Sequence, residues 1–206
     1  MQIDDYVVHI VDDEEPVRKS LAFLLTMAGF TVRVHGSASS FQAAAPGLKP
    51  GILITDLRMP DMSGVDLLIK LNAANAMMPA IVITGHGDVP MAVAAMKAGA
   101  LDFIEKPFED ELLIDAIKRA AERIVGTPSA PDDTAAIRSR LDQLTERERQ
   151  VLSAVVAGLP NKTIAYDLDI SPRTVEVHRA NVMAKMQAKN LPELVRMTLA
   201  AGIVDA

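Results

Sequence analysis

The chain reads as an α/β domain built on a five-stranded, parallel, doubly wound sheet, followed by a smaller all-α domain. Three observations predict this. Residues 1–124 alternate short β-branched runs with stretches of helical spacing, residues 138–206 show helical spacing with no strand pattern, and the two parts differ in charge. The first part holds 11 Lys and Arg against 17 Asp and Glu, a net of −6, whereas residues 138–206 hold 10 against 8, a net of +2.

The strand runs are Tyr6–Val11, Thr31–His35, Ile52–Thr55, Ala80–Thr84 and Asp102–Glu105. Continuous apolar strands imply a sheet covered on both faces. Between the runs, groups such as Leu21, Leu24, Leu25 and Val65, Leu68, Leu71 recur at helical spacing. Five strands alternating with five helices give a parallel sheet whose ligands lie outside the carboxyl ends of the strands. Residues 125–137 are read as a linker. Within them Val125–Asp133 carries two prolines, which lack the amide hydrogen a helix needs, among small polar residues with little to bury. The second part predicts helices near 135–144, 146–157, 162–168, 172–186 and 191–200. Thr145 followed by Glu148 is a capping box, and Ser171-Pro172 puts a cap and a first-turn proline at a helix start.

Composition excludes several classes. With no cysteine in 206 residues there are no disulfides, thiolate zinc sites, iron–sulfur clusters or cysteine nucleophiles. The N-terminus carries Asp4 and Asp5 where a signal peptide carries base, and no apolar run approaches the roughly 20 residues of a membrane span. A cytoplasmic location, with no membrane partner, is the expectation. The whole-chain charge of −6 argues against a nucleic-acid partner only until it is divided by position.

The strand ends bring chemistry together. Asp12 and Asp13 follow the first strand, Asp56 the third, Thr84 ends the fourth, and Lys106-Pro107 follows the fifth. Carboxylates crowded at one sheet edge repel one another unless a divalent cation neutralises them, and oxygen-only ligation suits Mg²⁺. With that cation and the Lys106 ammonium opposing developing charge, Asp56 can attack phosphorus to form an acyl phosphate, and Thr84 can donate to the phosphoryl oxygens. Whether the bond before Pro107 is cis does not follow from the sequence. His9 and His35 lie within strands and read as core or edge residues. His86, in the Gly85-His86-Gly87 loop, reads equally as a kinase contact or a solvated residue.

The order Asp-Asp, Asp, Thr, Lys-Pro resembles the receiver domain of two-component response regulators, which has a flavodoxin- or CheY-like fold. Val11–Glu14, Thr55–Pro60, Asp61–Gly64, Thr84–His86, Gly99-Ala100, Asp102-Phe103 and Lys106-Pro107 carry the resemblance. It implies Asp56 as phosphoacceptor, Asp12 and Asp13 as magnesium-side carboxylates, the Arg58 carbonyl as a further ligand, and Thr84 with Phe103 as a switch pair. Many receivers have tyrosine where Phe103 stands, so a switch that needs a hydroxyl there does not apply.

In the second part, Asn161–Leu168 and Arg173–Met186 form two helices joined by a tight turn, with Ile164, Ala165, Leu168, Val175 and Val182 as the packed seam. The second helix offers Arg173, Thr174, Glu176, His178, Arg179, Asn181 and Lys185 to phosphates or base edges. Periodicity alone favours a plain helical bundle, since helix pairs are common, and the motifs reverse that preference. Leu144–Leu152, Asn161–Ala165 and Thr174–Met186 resemble the LuxR-type helix-turn-helix, which implies a recognition helix from Arg173 to Lys185 with Asn161 and Lys162 alongside. Gly158–Thr163 is not a phosphate loop, since it lacks the second glycine before Lys162 and no strand precedes it.

Both parts together resemble the FixJ type of response regulator. The resemblance implies an activator of nitrogen-fixation or microaerobic genes that is phosphorylated by an oxygen-sensing, FixL-like histidine kinase. It further implies a homodimer when phosphorylated that binds promoter half-sites and acts with RNA polymerase. Two other classes compete. A haloacid-dehalogenase-type phosphohydrolase needs a second acid two residues after its nucleophile, where Arg58 stands. A phosphorylation-dependent adaptor needs the helical domain to bind protein instead of DNA.

Overall fold

The structure is a computed structural model and describes residues 6–49, 51–76, 78–85, 89–124 and 134–203. The expected linker segment 125–133 and His86 lie outside the described residues. The chain divides into two compact units, residues 1–86 with 98–129, and residues 87–97 with 130–206.

In the first unit, β1 (Val7–Val11), β2 (Thr31–His35), β3 (Gly51–Asp56), β4 (Ala80–Thr84) and β5 (Asp102–Glu105) form one parallel sheet in the order β2-β1-β3-β4-β5. Helices α1 (Glu15–Met27), α2 (Ala38–Ala44), α3 (Gly64–Ala73) and α5 (Asp110–Ile124) alternate with the strands, and a short 3₁₀ turn, Ala45–Gly47, follows α2. The core gathers Val8, Ile10, Ile52, Ile54, Ile81 and Ile83 from the strands with Leu25 of α1 and Leu113 and Ile117 of α5. β-Branched side chains fit this pleated layer because neighbours fill both sides of their branched carbon.

Every residue of β1, β3 and β4 is buried, as the continuous apolar runs predict. β2 departs from that expectation. It pairs only with β1, and Thr31, Arg33 and Val34 are exposed, because an edge strand has a free side that polar residues can occupy. Register aligns Val11 with both His35 and Thr55, and Thr84 with Glu105, so the carboxyl ends of the strands share one edge.

Helix α4 (Val89–Lys97), read from the sequence as part of residues 1–124, groups instead with the second unit, where Val89 packs against the helical core. That unit also holds α6 (Thr134–Asp142), α7 (Glu146–Val156), α8 (Asn161–Asp167), α9 (Pro172–Met186) and α10 (Leu191–Ala200). Thr134, assigned by sequence to the linker, opens α6. The predicted capping box forms, with the Glu148 amide donating to Thr145 Oγ1 and the Thr145 amide donating to Glu148 Oε2. Val151, Val155, Ile164, Ala165 and Val175 form the core that fixes α8 against α9.

His9 is fully buried in β1, with Nδ1 3.2 Å from His35 Nε2 and its ring beside Phe41 of α2. Gly51 makes room for it, since a Cβ there would lie 3.0 Å from the imidazole. Burial, then repulsion from His35 and Arg33, lowers the His9 pKa to about 4. The unfolded chain protonates near 6.5 and the folded one only near 4, so this contribution is complete above pH 6.5 and lost as pH falls through that window. Urea unfolding of the first unit should show a loss on the order of 2 kcal/mol between pH 7 and 4.5, and His9→Gln should flatten that dependence.

Candidate functional site

The edge formed by the carboxyl ends of β1, β3 and β5 carries the ionic site. Asp12, the residue after β1, is only 1% exposed, and Asp56, at the end of β3, is 9% exposed. Lys106 reaches between them from the residue after β5, its Nζ 3.2 Å from Asp12 Oδ2 and 3.0 Å from Asp56 Oδ1. The other oxygens are also engaged. Asp12 Oδ1 accepts the Glu14 amide at 2.8 Å, and Asp56 Oδ2 accepts the Arg58 amide at 2.6 Å.

Burial pushes the Asp12 carboxyl above its ordinary pKa, against the pull of the Glu14 amide and Lys106. Burial acts to lower the Lys106 ammonium, but the carboxylates of Asp56 and Asp12 outweigh it and hold that pKa above the usual value. The lysine therefore stays charged where a cation is most needed. Its backbone is fixed too. The Lys106 amide donates to the Thr84 carbonyl at 2.7 Å, and the Lys106–Pro107 bond is cis.

The remaining expected residues take varied positions. Asp13 is exposed, and among the described residues no three His, Asp or Glu side chains converge on one point. Thr84 is buried at the end of β4. Phe103 is half-buried and lies two positions before Glu105, the register partner of Thr84, so Phe103 and Thr84 share a sheet face. Pro107 is exposed.

Gly64 was not singled out by sequence reasoning beyond its place in the motif. It opens α3 against Asp56, and a Cβ there would lie 2.4 Å from the Asp56 carbonyl oxygen. Ser63 caps the same helix in a reciprocal box with Asp66, a Ser-x-x-Asp signal present in the sequence.

In the second unit α8 and α9 meet through the turn 168–171, where Asp169 takes a positive φ of 53° and Ser171 Oγ accepts the Thr174 amide. The nine residues expected at DNA divide. Lys162, Arg173, Glu176 and Asn181 are exposed, while Asn161, Thr174, His178, Arg179 and Lys185 are partly buried. Arg179 turns inward, donates to Asn161 Oδ1 at 2.6 Å, and helps line a small cavity with Val155, Val182 and Leu194. Lys185 pairs with buried Glu148 at 2.7 Å, and Thr174 Oγ1 lies 2.8 Å from Ser171 Oγ. Polarity suggested all seven on α9, but the 3.6-residue period turns 178, 179 and 185 away from the outward ridge. That ridge includes exposed Val177 and Ala180, which sequence reasoning passed over because they are apolar.

Comparison with known proteins bears on both units. Residues 8–118 match the response regulator receiver domain, and residues 142–198 match the luxR family of bacterial regulatory proteins. The chain is 71% identical over 198 residues to the transcriptional regulatory protein FixJ of Rhizobium meliloti (strain 1021), covering 96% of this chain and 97% of that protein. This chain is a FixJ-type response regulator. FixJ of Azorhizobium caulinodans is 54% identical over 97% of this chain and 94% of its own length. Crystallised full-length FixJ from B. japonicum shares 46% identity over 98% of this chain and 99% of its own, with a TM-score of 0.57.

A FixJ-type response regulator couples a receiver to a LuxR-type DNA-binding domain for phosphorylation-dependent activation of transcription, which sets aside both the phosphohydrolase and the adaptor. Receiver domains generally bind Mg²⁺ at the phosphorylation site, and the two domains imply a histidine kinase and DNA as partners. Among the described residues no helix is long and apolar enough to cross a membrane.

Gly64→Ala should destabilise the receiver by about 3 kcal/mol in urea unfolding, because the added methyl meets backbone that cannot turn aside.

Proposed function

We propose that Asp56 is the phosphoacceptor of this regulator, and the observation that carries the reading is the Lys106 ammonium bridging buried Asp12 and Asp56 at the strand ends. An Asp56 carboxylate oxygen attacks the phosphorus of a phosphohistidine on the kinase. The new P–O bond forms as the P–N bond breaks, and the nitrogen keeps its electron pair and takes up a proton. Lys106, already within hydrogen-bonding distance of Asp56, then pairs with a phosphoryl oxygen.

The donor set suits Mg²⁺. Asp12 and Asp56 are buried oxygen donors, Asp13 and the Arg58 carbonyl follow them in the adjoining loops, and an ion that keeps several waters needs only one or two carboxylates. When bound, the ion supplies positive charge against the transferring phosphoryl group. Asp12 would hold it, and the Glu14 amide keeps that carboxylate oriented.

The acyl phosphate places further negative charge and strong acceptors at the sheet edge. Thr84 turns its hydroxyl toward them and Phe103 moves inward, favouring one of two existing conformations. In that state two copies pair, each placing α9 in the major groove of a promoter half-site. Arg173, Glu176 and Asn181 read base edges or phosphates, Lys162 binds phosphate, and Val177 offers its methyls to a thymine methyl. Asn161, Thr174, His178, Arg179 and Lys185 support or extend this surface after side-chain rearrangement. The bound dimer recruits RNA polymerase in the cytoplasm. Identity with the FixJ relatives supports a FixL-like, oxygen-sensing kinase and nitrogen-fixation or microaerobic target genes.

Incubation with a radiolabelled small-molecule phosphodonor should place acid-labile phosphate on the wild-type chain and none on Asp56→Asn. Retained labelling excludes Asp56 as the sole acceptor. Affinity for duplex DNA should fall with salt at a log–log slope of about −0.9 per phosphate neutralised, and a flat response excludes groove binding by α9.

A further inference from the structure

The loops that follow β1 and β3 carry the acidic site, and the end of β2 and the first turn of α2, which contribute no acid to it, each touch one of them. On one side the Asp12 amide donates to the His35 carbonyl at 3.3 Å. Arg18 of α1 donates from Nη1 to the Asp12 carbonyl at 2.6 Å, and its guanidinium lies over Gly36, 3.7 Å from where a Cβ would stand. On the other side Ser39 donates its backbone amide to Asp61 Oδ2 at 2.7 Å and its hydroxyl to the same oxygen. Asp61 stands three residues beyond Arg58 in the loop between β3 and α3.

This bond is not the ordinary cap of α2. Ser37 already fills that place, accepting the Ser40 amide at 3.2 Å. Asp61 instead satisfies the amide of Ser39 from 22 residues away in sequence, and so fastens the loop after β3 to the first turn of α2.

We propose that Asp61 and Ser39 form a clasp that sets the spacing between Asp12 and the Arg58 carbonyl, and so the affinity of the pocket for Mg²⁺. Both are positioning residues, since neither reaches the reacting atoms. The proposal rests on the Mg²⁺ reading given above. The Ser39 hydroxyl and amide hold the Asp61 carboxyl down to about 2, so the clasp keeps its charge throughout the neutral range. Groups that orient metal ligands without touching the metal commonly change affinity by about tenfold or more when removed.

The test is Mg²⁺ titration of the full chain by calorimetry, with amide hydrogen exchange followed in the metal-free protein. Asp61→Ala should weaken Mg²⁺ binding by about five- to tenfold and speed exchange of the Ser39 and Arg58 amides. Asp61→Asn, which keeps an acceptor for both donors, should restore most of the affinity. Ser37→Ala removes the helix cap but leaves the clasp, and should speed exchange at Ser40 while holding Mg²⁺ affinity within about twofold of wild type. Wild-type affinity in Asp61→Ala overturns the clasp, as does a loss in Ser37→Ala equal to that in Asp61→Ala. Absence of Mg²⁺ binding by the wild-type chain overturns the metal reading and the clasp with it, whereas wild-type binding that Asp12→Ala abolishes and Asp61→Ala leaves intact overturns the clasp alone.

Discussion

Two carboxylates buried within reach of one ammonium impose the constraint on which the receiver depends. Left alone, Asp12 and Asp56 repel each other in a medium that screens poorly, and burial drives Asp12 toward its protonated form. Lys106 compensates because its own backbone is tied to β4 and its ammonium reaches both acids. Adding a phosphoryl group changes this balance at its centre. In the proposed function the lysine then serves a more highly charged partner; Thr84 at this edge and Phe103, two positions further into the sheet on the neighbouring strand, share one sheet face.

The surroundings restrict how that change is absorbed. Gly64 lies against the Asp56 carbonyl with no room for a side chain, so the end of β3 cannot retreat toward α3. His35 at the end of β2 and Ser39 in the first turn of α2 bond to the loops on either side of the site. In the second unit the same economy appears in another form. Glu148 both closes a helix cap and receives Lys185, so one buried carboxylate fixes the start of α7 and the last turn of α9.

Much of this was legible in the sequence. Strands β2, β4 and β5 have the predicted limits, and the capping residues Thr145, Glu148 and Ser171 act where the spacing put them. Strand periodicity and cap chemistry are local properties, read within a few residues. The acidic edge was legible because parallel topology alone brings strand ends together. What depended on rotation about a helix axis was harder to read. Arg179 and Lys185 look like DNA ligands by type, yet one turns toward Asn161 and the other toward Glu148, while apolar Val177 faces outward. The bond between Ser39 and Asp61 spans 22 residues and has no periodic signature, and the exposed character of β2 follows from its edge position in the strand order.

In the proposed function, charge at Asp56 governs occupancy of DNA by α9. Footprinting on genomic fragments, with and without a small-molecule phosphodonor, measures that link in one experiment. Protection of paired half-sites should appear at lower protein concentration when the donor is present, and the donor should have no effect on Asp56→Asn. Identical footprints with and without donor for the wild-type chain, or a donor response that survives in Asp56→Asn, would contradict it.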